Sequence, residues 1–360
     1  MSKPILKISG KSQSRASPAA AGPLHIMIVT DAWEPQVNGV VHSLARMRDL
    51  LTAGGDKVTM IHPGMFTNLP CPTYPEIRLA LTTRARIGKL IEDANPDAIH
   101  ISTEGPLGRL ARSSCKTMGR GFTTCYHTKF PEYVSARAPI PLSWLYTIVR
   151  RFHNDGLGCM TATQTLRHDL SARGFKNLLH WPRGVDAQLF RPRPAADLGL
   201  KRPVFLNVGR VAVEKNIESF AELDLPGSKA VVGDGPALNM LKDKYPGVHF
   251  LGLKRGEALA TAYAAADVFV FPSLTDTFGN VLLEAMASGL PVAAYPVTGP
   301  IDVVLDPRAG VLDENLQRAA LTALELDPCD ARKYALGYSW ENSAAIFRRN
   351  IVEANSLVVE

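Results

Sequence analysis

Two carboxylates, Asp276 and Glu284, sit with seven residues between them in an otherwise apolar stretch, SLTDTFGNVLLEAMASGLP. Ser273, Thr275, Asp276 and Thr277 are residue types that open helices, and Gly279 leaves the backbone bare. The stretch therefore predicts a helix whose first N–H groups can meet a phosphate. Gly289 and Pro291 predict its end near Ser288. Val281, Leu282, Leu283 and Ala285 surround Glu284 with apolar neighbours, and a carboxylate taken out of water needs a partner. Counted from Phe278, Glu284 lies roughly 9 Å along a helix axis. That is close to the separation between a nucleotide's ribose and a sugar joined to it through a diphosphate. One acid could then hold ribose hydroxyls and the other the sugar, with the helix start on the phosphates between them. The plainer alternative makes Asp276 an N-cap and Glu284 an exposed helix residue.

Other loops carry compatible chemistry. Arg210 follows an apolar run, VFLNVG, and Glu214, Lys215 and Asn216 open the next helical segment. A planar guanidinium fork beside a lysine point charge suits two adjoining phosphates, although either side chain alone is as well explained by solvation. Gly233-Asp234-Gly235-Pro236 permits close backbone approach to a ligand. It lacks the third glycine of a dinucleotide fingerprint, which disfavours a nicotinamide dehydrogenase. Near the N-terminus, Asn38-Gly39 turns the chain into a helix whose N–H groups can meet an anion. In mid-chain, HTKFPEYVSAR puts His127 at a strand end, with Lys129, Glu132 and Arg137 in the loop that follows.

These loops need a scaffold. A chain of 360 residues predicts two domains. Apolar, β-branched runs alternate with helix-length segments, the signature of parallel strands buried on both faces. In the first half they cover 25–30, 57–61, 98–102, 122–127 and 158–163; in the second, 204–209, 229–233, 248–252, 268–273 and 291–296. A Pro- and Arg-rich stretch, WPRGVDAQLFRPRPAADLGLKRP, lies between the halves. The expected division is a flexible tail over 1–22, domains over 23–186 and 187–338, and a C-terminal helix over 339–360 that packs back across them. Two doubly wound α/β domains would present the carboxyl ends of their sheets to a shared cleft, where ligands of such sheets bind.

Composition narrows the class. The chain is 46% hydrophobic and 21% charged, and its net charge of +6 mildly favours an anionic ligand or surface. Five cysteines without CxxC spacing support neither a disulfide framework nor a zinc site, so a reducing cytoplasm is expected. No signal-peptide core and no run of about 20 apolar residues is present.

In this order and at these separations, PQVNGVV, HTKFPEY, RGVD, GRVAVEKN, GDGP and SLTDTFGNVLLEAMASGLPV resemble the retaining GT-B glycosyltransferases of glycosyltransferase family 4. The resemblance covers nearly everything from Leu24 to the C-terminal helix. It implies a GT-B fold of two Rossmann-like domains and transfer of a hexose from a UDP- or GDP-linked sugar to an acceptor hydroxyl, forming an α-glycoside. It implies that Arg210 and Lys215 bind the donor diphosphate, Gly39 closes over it, Glu284 holds the ribose and His127 lies beside the sugar. The expected catalytic set is thus His127, Arg210, Lys215 and Asp276. Gly39, Gly233, Phe278, Gly279, Asn280 and Glu284 complete the donor site, with Asn38, Lys129, Glu132 and Arg137 on the acceptor side. The first acid of the family's E-x7-E signature is here Asp276, one methylene shorter. No cofactor and no metal is expected, because fixed positive side chains can replace one, and no nucleic-acid partner is expected.

The HTKFPEY and PQVNGV segments are most similar to a subgroup of sulfoquinovosyl- and glucosyl-diacylglycerol synthases and GDP-mannose-dependent α-mannosyltransferases. A membrane lipid such as diacylglycerol is therefore the expected acceptor, met at an anionic cytoplasmic surface. PLSWLYTIVRRFHN and TTRARIGKLI are the candidate contact segments. The alternatives are a soluble α-mannosyl- or glucosyltransferase of polysaccharide or small-molecule synthesis, a nucleotide-sugar epimerase, or a non-catalytic nucleotide-sugar binding protein.

Overall fold

The computed structural model describes residues 22–36, 38–71, 77–135 and 139–356, with the Tyr133 side chain excepted. The expected tail falls almost wholly outside the described residues, as does Arg137. Two six-stranded parallel sheets organise the chain. The first contains β1 (His25–Val29), β2 (Lys57–Ile61), β5 (Ala98–Ile101), β6 (Thr123–Cys125), β7 (Gly158–Thr161) and β8 (Leu178–His180), in the order β2-β1-β5-β6-β7-β8. A hairpin, β3 (Asn68–Pro70) with β4 (Arg78–Ala80), is inserted after β2.

The second sheet contains β9 (Val204–Val208), β10 (Ser228–Val232), β11 (Val248–Phe250), β12 (Val268–Phe271), β13 (Val292–Ala294) and β14 (Gly310–Leu312), ordered β11-β10-β9-β12-β13-β14. Strand order reverses at β1, between β2 and β5, and at β9, between β10 and β12. In open α/β sheets the crevice at such a reversal receives the ligand.

The ten apolar runs expected to be strands are strands. Three elements were not anticipated: the hairpin, β8 and β14. Their strands have three residues each and lie outside the ten expected apolar runs, and β8 and β14 are partly buried sheet edges.

Packing explains the strand composition. Alternate residues of β1 enter opposite layers: Ile26 and Ile28 pack with Leu44, Met47 and Trp181, and Met27 and Val29 with Ile87, Ile91 and Leu107. The C-terminal helix, Trp340–Ser356, lays Trp340, Ala344, Phe347 and Ile351 into the former layer, so it returns to the first sheet. Phe347 lies 4.7 Å from Trp181 and 4.9 Å from His100, centroid to centroid. The Trp181 indole donates to Ser343, and Arg348 pairs with buried Asp56. Phe347→Ala should therefore cost about 3–5 kcal/mol in urea unfolding. A loss under about 1 kcal/mol would show that the helix is peripheral to the first core.

Candidate active site

The 273–279 loop, between β12 and the helix Asn280–Ala287, holds the two halves of the site together. Its four expected helix-capping residues go elsewhere. Ser273 and Thr275 donate to the Glu214 carbonyl at 3.5 and 3.4 Å. Asp276 accepts from Lys215 Nζ at 2.7 and 2.9 Å, and Thr277 Oγ1 donates to the His127 carbonyl at 2.7 Å. The helix thus begins without a side-chain cap, after Gly279 at φ 85°, a conformation a side chain would strain. No side chain takes its first amides, the Leu282 amide bonds the Gly279 carbonyl at 2.9 Å, and Asp276 is not its N-cap. It ends at Ala287, with Gly289 left-handed at φ 86°.

Because the helix starts at Asn280, Glu284 lies about 6 Å along it rather than 9 Å. Its carboxylate accepts from Tyr263 Oη at 2.9 Å, so it is neither exposed nor unpartnered. Burial pushes its pKa up to about 7, against the pull of that hydrogen bond. For Asp276, burial acts upward but is outweighed by Lys215, the Ser273 hydrogen bond and Lys129, which hold the carboxyl below its ordinary value. The Lys215 and Asp276 side chains are 25% and 17% exposed, so their pair is largely shielded from water. Lys215 closes a single helical turn, Val213–Lys215, and the left-handed Asn216 that follows donates to the Pro272 carbonyl at 3.1 Å. Arg210 stands just beyond β9, at the reversal of the second sheet.

The first sheet supplies the opposite wall. Gly39 opens the helix Gly39–Ala53, and a Cβ there would lie 3.3 Å from Asn280 Nδ2. Asn280 Nδ2 itself reaches Ser43 Oγ at 3.5 Å, so two helix starts face each other across the seam. Asn38 Oδ1 occupies the amides of Val40 and Val41, and its Nδ2 donates to Gln36. Those two N–H groups are therefore not open to an anion, contrary to expectation, and Asn38 shapes the turn. Further links across the seam are Thr163 Oγ1 to the Thr277 carbonyl at 3.4 Å and the Thr165 amide to Asp302 at 2.9 Å.

Other expected residues are placed differently. The Phe278 side chain is buried in the second core beside Phe271 and Leu282. The close approach permitted by Gly233 is to the Gly209 carbonyl, 1.8 Å from any Cβ, rather than to open space for a ligand. Glu132 accepts from Tyr146 Oη at 2.6 Å, and its other oxygen is buried without a partner among the described residues. No group of three or more potential metal-ligating His, Cys, Asp or Glu occurs among the described residues.

Sequence reading missed several polar residues. Asp31, immediately past β1, takes the amides of Leu107 and Gly108 and the Thr103 hydroxyl, capping the helix Pro106–Met118 from a distance. Buried His153 bridges Thr124 and Glu104 at 2.9 and 2.8 Å. Arg183 and Tyr263 contact His127 and Glu284. Only Asp31 and Arg183 had a local signal, the position after the first strand and the RGVD motif.

Glu284 yields a pH-dependent expectation. Between its ordinary value of 4.5 and about 7, the folded protein holds a proton that the unfolded chain has released. Stability therefore falls as pH rises through that window and stays lower above it. Glu284→Gln should match the wild type near pH 4.5 and exceed its melting temperature at pH 8. A difference independent of pH in thermal scans would contradict the assignment.

The chain matches the group 1 glycosyl transferases over residues 202–325 and Glycosyltransferase Family 4 over residues 37–189. A GDP-mannose-dependent alpha-mannosyltransferase of Mycolicibacterium smegmatis is 31% identical over 80% of this chain and 84% of its own length. An alpha-monoglucosyldiacylglycerol synthase of Streptococcus pneumoniae is 26% identical over 92% and 85%. The solved sucrose-phosphate synthase of Thermosynechococcus elongatus superposes with a TM-score of 0.67 at 20% identity, over 93% of this chain and 97% of its own, a likeness of fold. The two facing sheets are the GT-B fold, and the chain belongs to the family 4 glycosyltransferases.

Proposed function

We propose that this glycosyltransferase moves a hexose from a UDP- or GDP-linked donor to the hydroxyl of a membrane lipid such as diacylglycerol, with retention as an α-glycoside. The observation that carries the donor half is the uncapped start of the 280–287 helix, set against Gly39 and flanked by the Lys215–Asp276 pair. A helix start with open amides stabilises negative charge, and a fixed lysine beside it adds to the effect. In this reading Arg210, Lys215 and the helix start take the charge that develops on the departing diphosphate. Glu284 accepts ribose hydroxyls, and Asp276 and His127 face the sugar. Attack comes from the face that the diphosphate leaves, which calls for no protein nucleophile and no metal.

The lipid half rests on the helix Leu142–Asn154. Trp144 and Ile148 are 69% and 53% exposed one turn apart, exposed Arg151 follows them, and Phe130 and Ile140 are also exposed. Aromatic and aliphatic groups beside a cation suit the boundary of an anionic bilayer. The relative named as a monoglucosyldiacylglycerol synthase supports the same choice. The other expected segment is less suited, because the helix Arg84–Ala94 presents Arg84, Arg86 and Lys89 together with Glu92 and Asp93. No helix among the described residues is long and apolar enough to cross a membrane.

The test is a mass-spectrometric screen of UDP- and GDP-sugars with diacylglycerol, ceramide and a membrane extract. A lipid heavier by one hexose is expected. Lys215→Ala should lower kcat by about 10²–10³-fold, and near-normal turnover in a folded variant would remove Lys215 from the mechanism. Wild-type protein should co-sediment with phosphatidylglycerol vesicles at low salt, less so as salt screens the attraction. Trp144→Ala with Ile148→Ser should abolish that binding, and a wild type that ignores the vesicles would refute the membrane reading.

A further inference from the structure

Arg183, in the loop after β8, is 5% exposed, yet no carboxylate among the described residues pairs with its guanidinium. A buried cation without a counter-ion is costly, so the use made of its donors is informative. Nη1 donates to the Trp181 carbonyl at 2.7 Å, and the guanidinium stacks 3.9 Å from the Trp181 ring centroid. Nη2 contacts Cys125 Sγ at 3.9 Å and His127 Nδ1 at 3.3 Å.

The last contact dictates a protonation state. A guanidinium can only donate, so His127 Nδ1 must accept, and a neutral imidazole that accepts at Nδ1 carries its proton on Nε2. His127 Nε2 is buried and has no hydrogen-bond partner among the described residues. Its backbone is also fixed, because the His127 carbonyl takes the Thr277 hydroxyl from the loop that bears Asp276. An N–H group is thus held at the seam with its hydrogen bond unmade.

We propose that Arg183 is a positioning residue: by donating to Nδ1 it keeps His127 neutral and in the Nε2–H tautomer, so that this N–H donates to an oxygen of the transferred sugar. The sugar half rests on the function proposed above; the tautomer half does not. The charged or titratable groups facing His127 are Arg183, His100 and His153, with the Trp181 ring against it. None of these is a carboxylate that would favour an imidazolium. Burial first, and Arg183 next, hold its pKa well below the ordinary histidine value. His100 donates to or accepts from Thr123, and His153 is turned to Thr124 and Glu104, so neither takes Nε2.

The tautomer can be read without substrate from imidazole nitrogen shifts of 15N-histidine-labelled protein, with His127 assigned by its loss in His127→Gln. The wild type should show bare Nδ1 and protonated Nε2 from pH 5.5 to 8. Protonated Nδ1, or titration within that range, would overturn the proposal. Arg183→Met keeps the length and removes the donors. It should mix the tautomers, let the His127 pKa rise while burial still holds it below the ordinary histidine value, and lower kcat at least about tenfold with little change in donor KM. A folded Arg183→Met with wild-type tautomer and kcat would equally overturn it. Arg183→Lys, which retains a charge and a donor, should preserve the tautomer and recover part of kcat, and Arg183→Gln, whose neutral amide can donate or accept, should mix the tautomers if the methionine variant does not fold. Absence of transfer from any donor by wild-type protein would defeat the proposed function, whereas the wrong tautomer would defeat this proposal and leave that function standing.

Discussion

The hydrogen bond from Thr277 to the His127 carbonyl joins the carboxyl end of one parallel sheet to that of the other. Such an edge is where strand-end loops gather and where helix starts point their positive ends. Setting two of them face to face concentrates donors and cations on one gap without a strand crossing it. The 273–279 loop does this through four short polar side chains, two bonded to the Glu214 carbonyl, one to Lys215 and one to the His127 carbonyl. None of them is left to cap the helix that follows, and the bare helix start is therefore a consequence of the same bonds.

Charge near the seam is tightly housed. Lys215 and Asp276 pair where water is largely excluded, and the pairing helps hold the Asp276 carboxyl below its ordinary value. Glu284 has a phenol rather than a cation as its partner, and burial raises its pKa. Arg183 has carbonyl, thiol and imidazole acceptors but no carboxylate partner among the described residues. A protein built for stability alone gains little from such groups, since isosteric apolar packing is often as stable. Their cost is intelligible where a ligand supplies the missing interactions.

Much of the scaffold was legible in the chain. Doubly buried strands announce themselves as continuous apolar runs, and ten such runs became strands of two parallel sheets. Gly289 and Pro291 marked a helix end because each restricts the backbone by its own covalent structure. The inserted hairpin, β8 and β14 were not legible, since pairing with a neighbour creates them and local preference does not. Misreading Ser273, Thr275, Asp276 and Thr277 as caps has the same origin: a hydroxyl or carboxylate suits a helix start equally well as it suits a distant carbonyl or lysine.

The sequence by itself determined the fold class, the positions of the strand-end loops and the residue types available in them, because periodicity, turn chemistry and motif order are local properties. The tertiary structure decided which partner each polar group took. Lys215 meets Asp276 across 61 positions, Tyr263 meets Glu284 across 21, and Arg183 meets His127 across 56. Pairing over such separations depends on where whole sheets carry their loops. Protonation follows from it, since burial and the identity of the neighbour set whether an acid, an imidazole or a lysine carries charge.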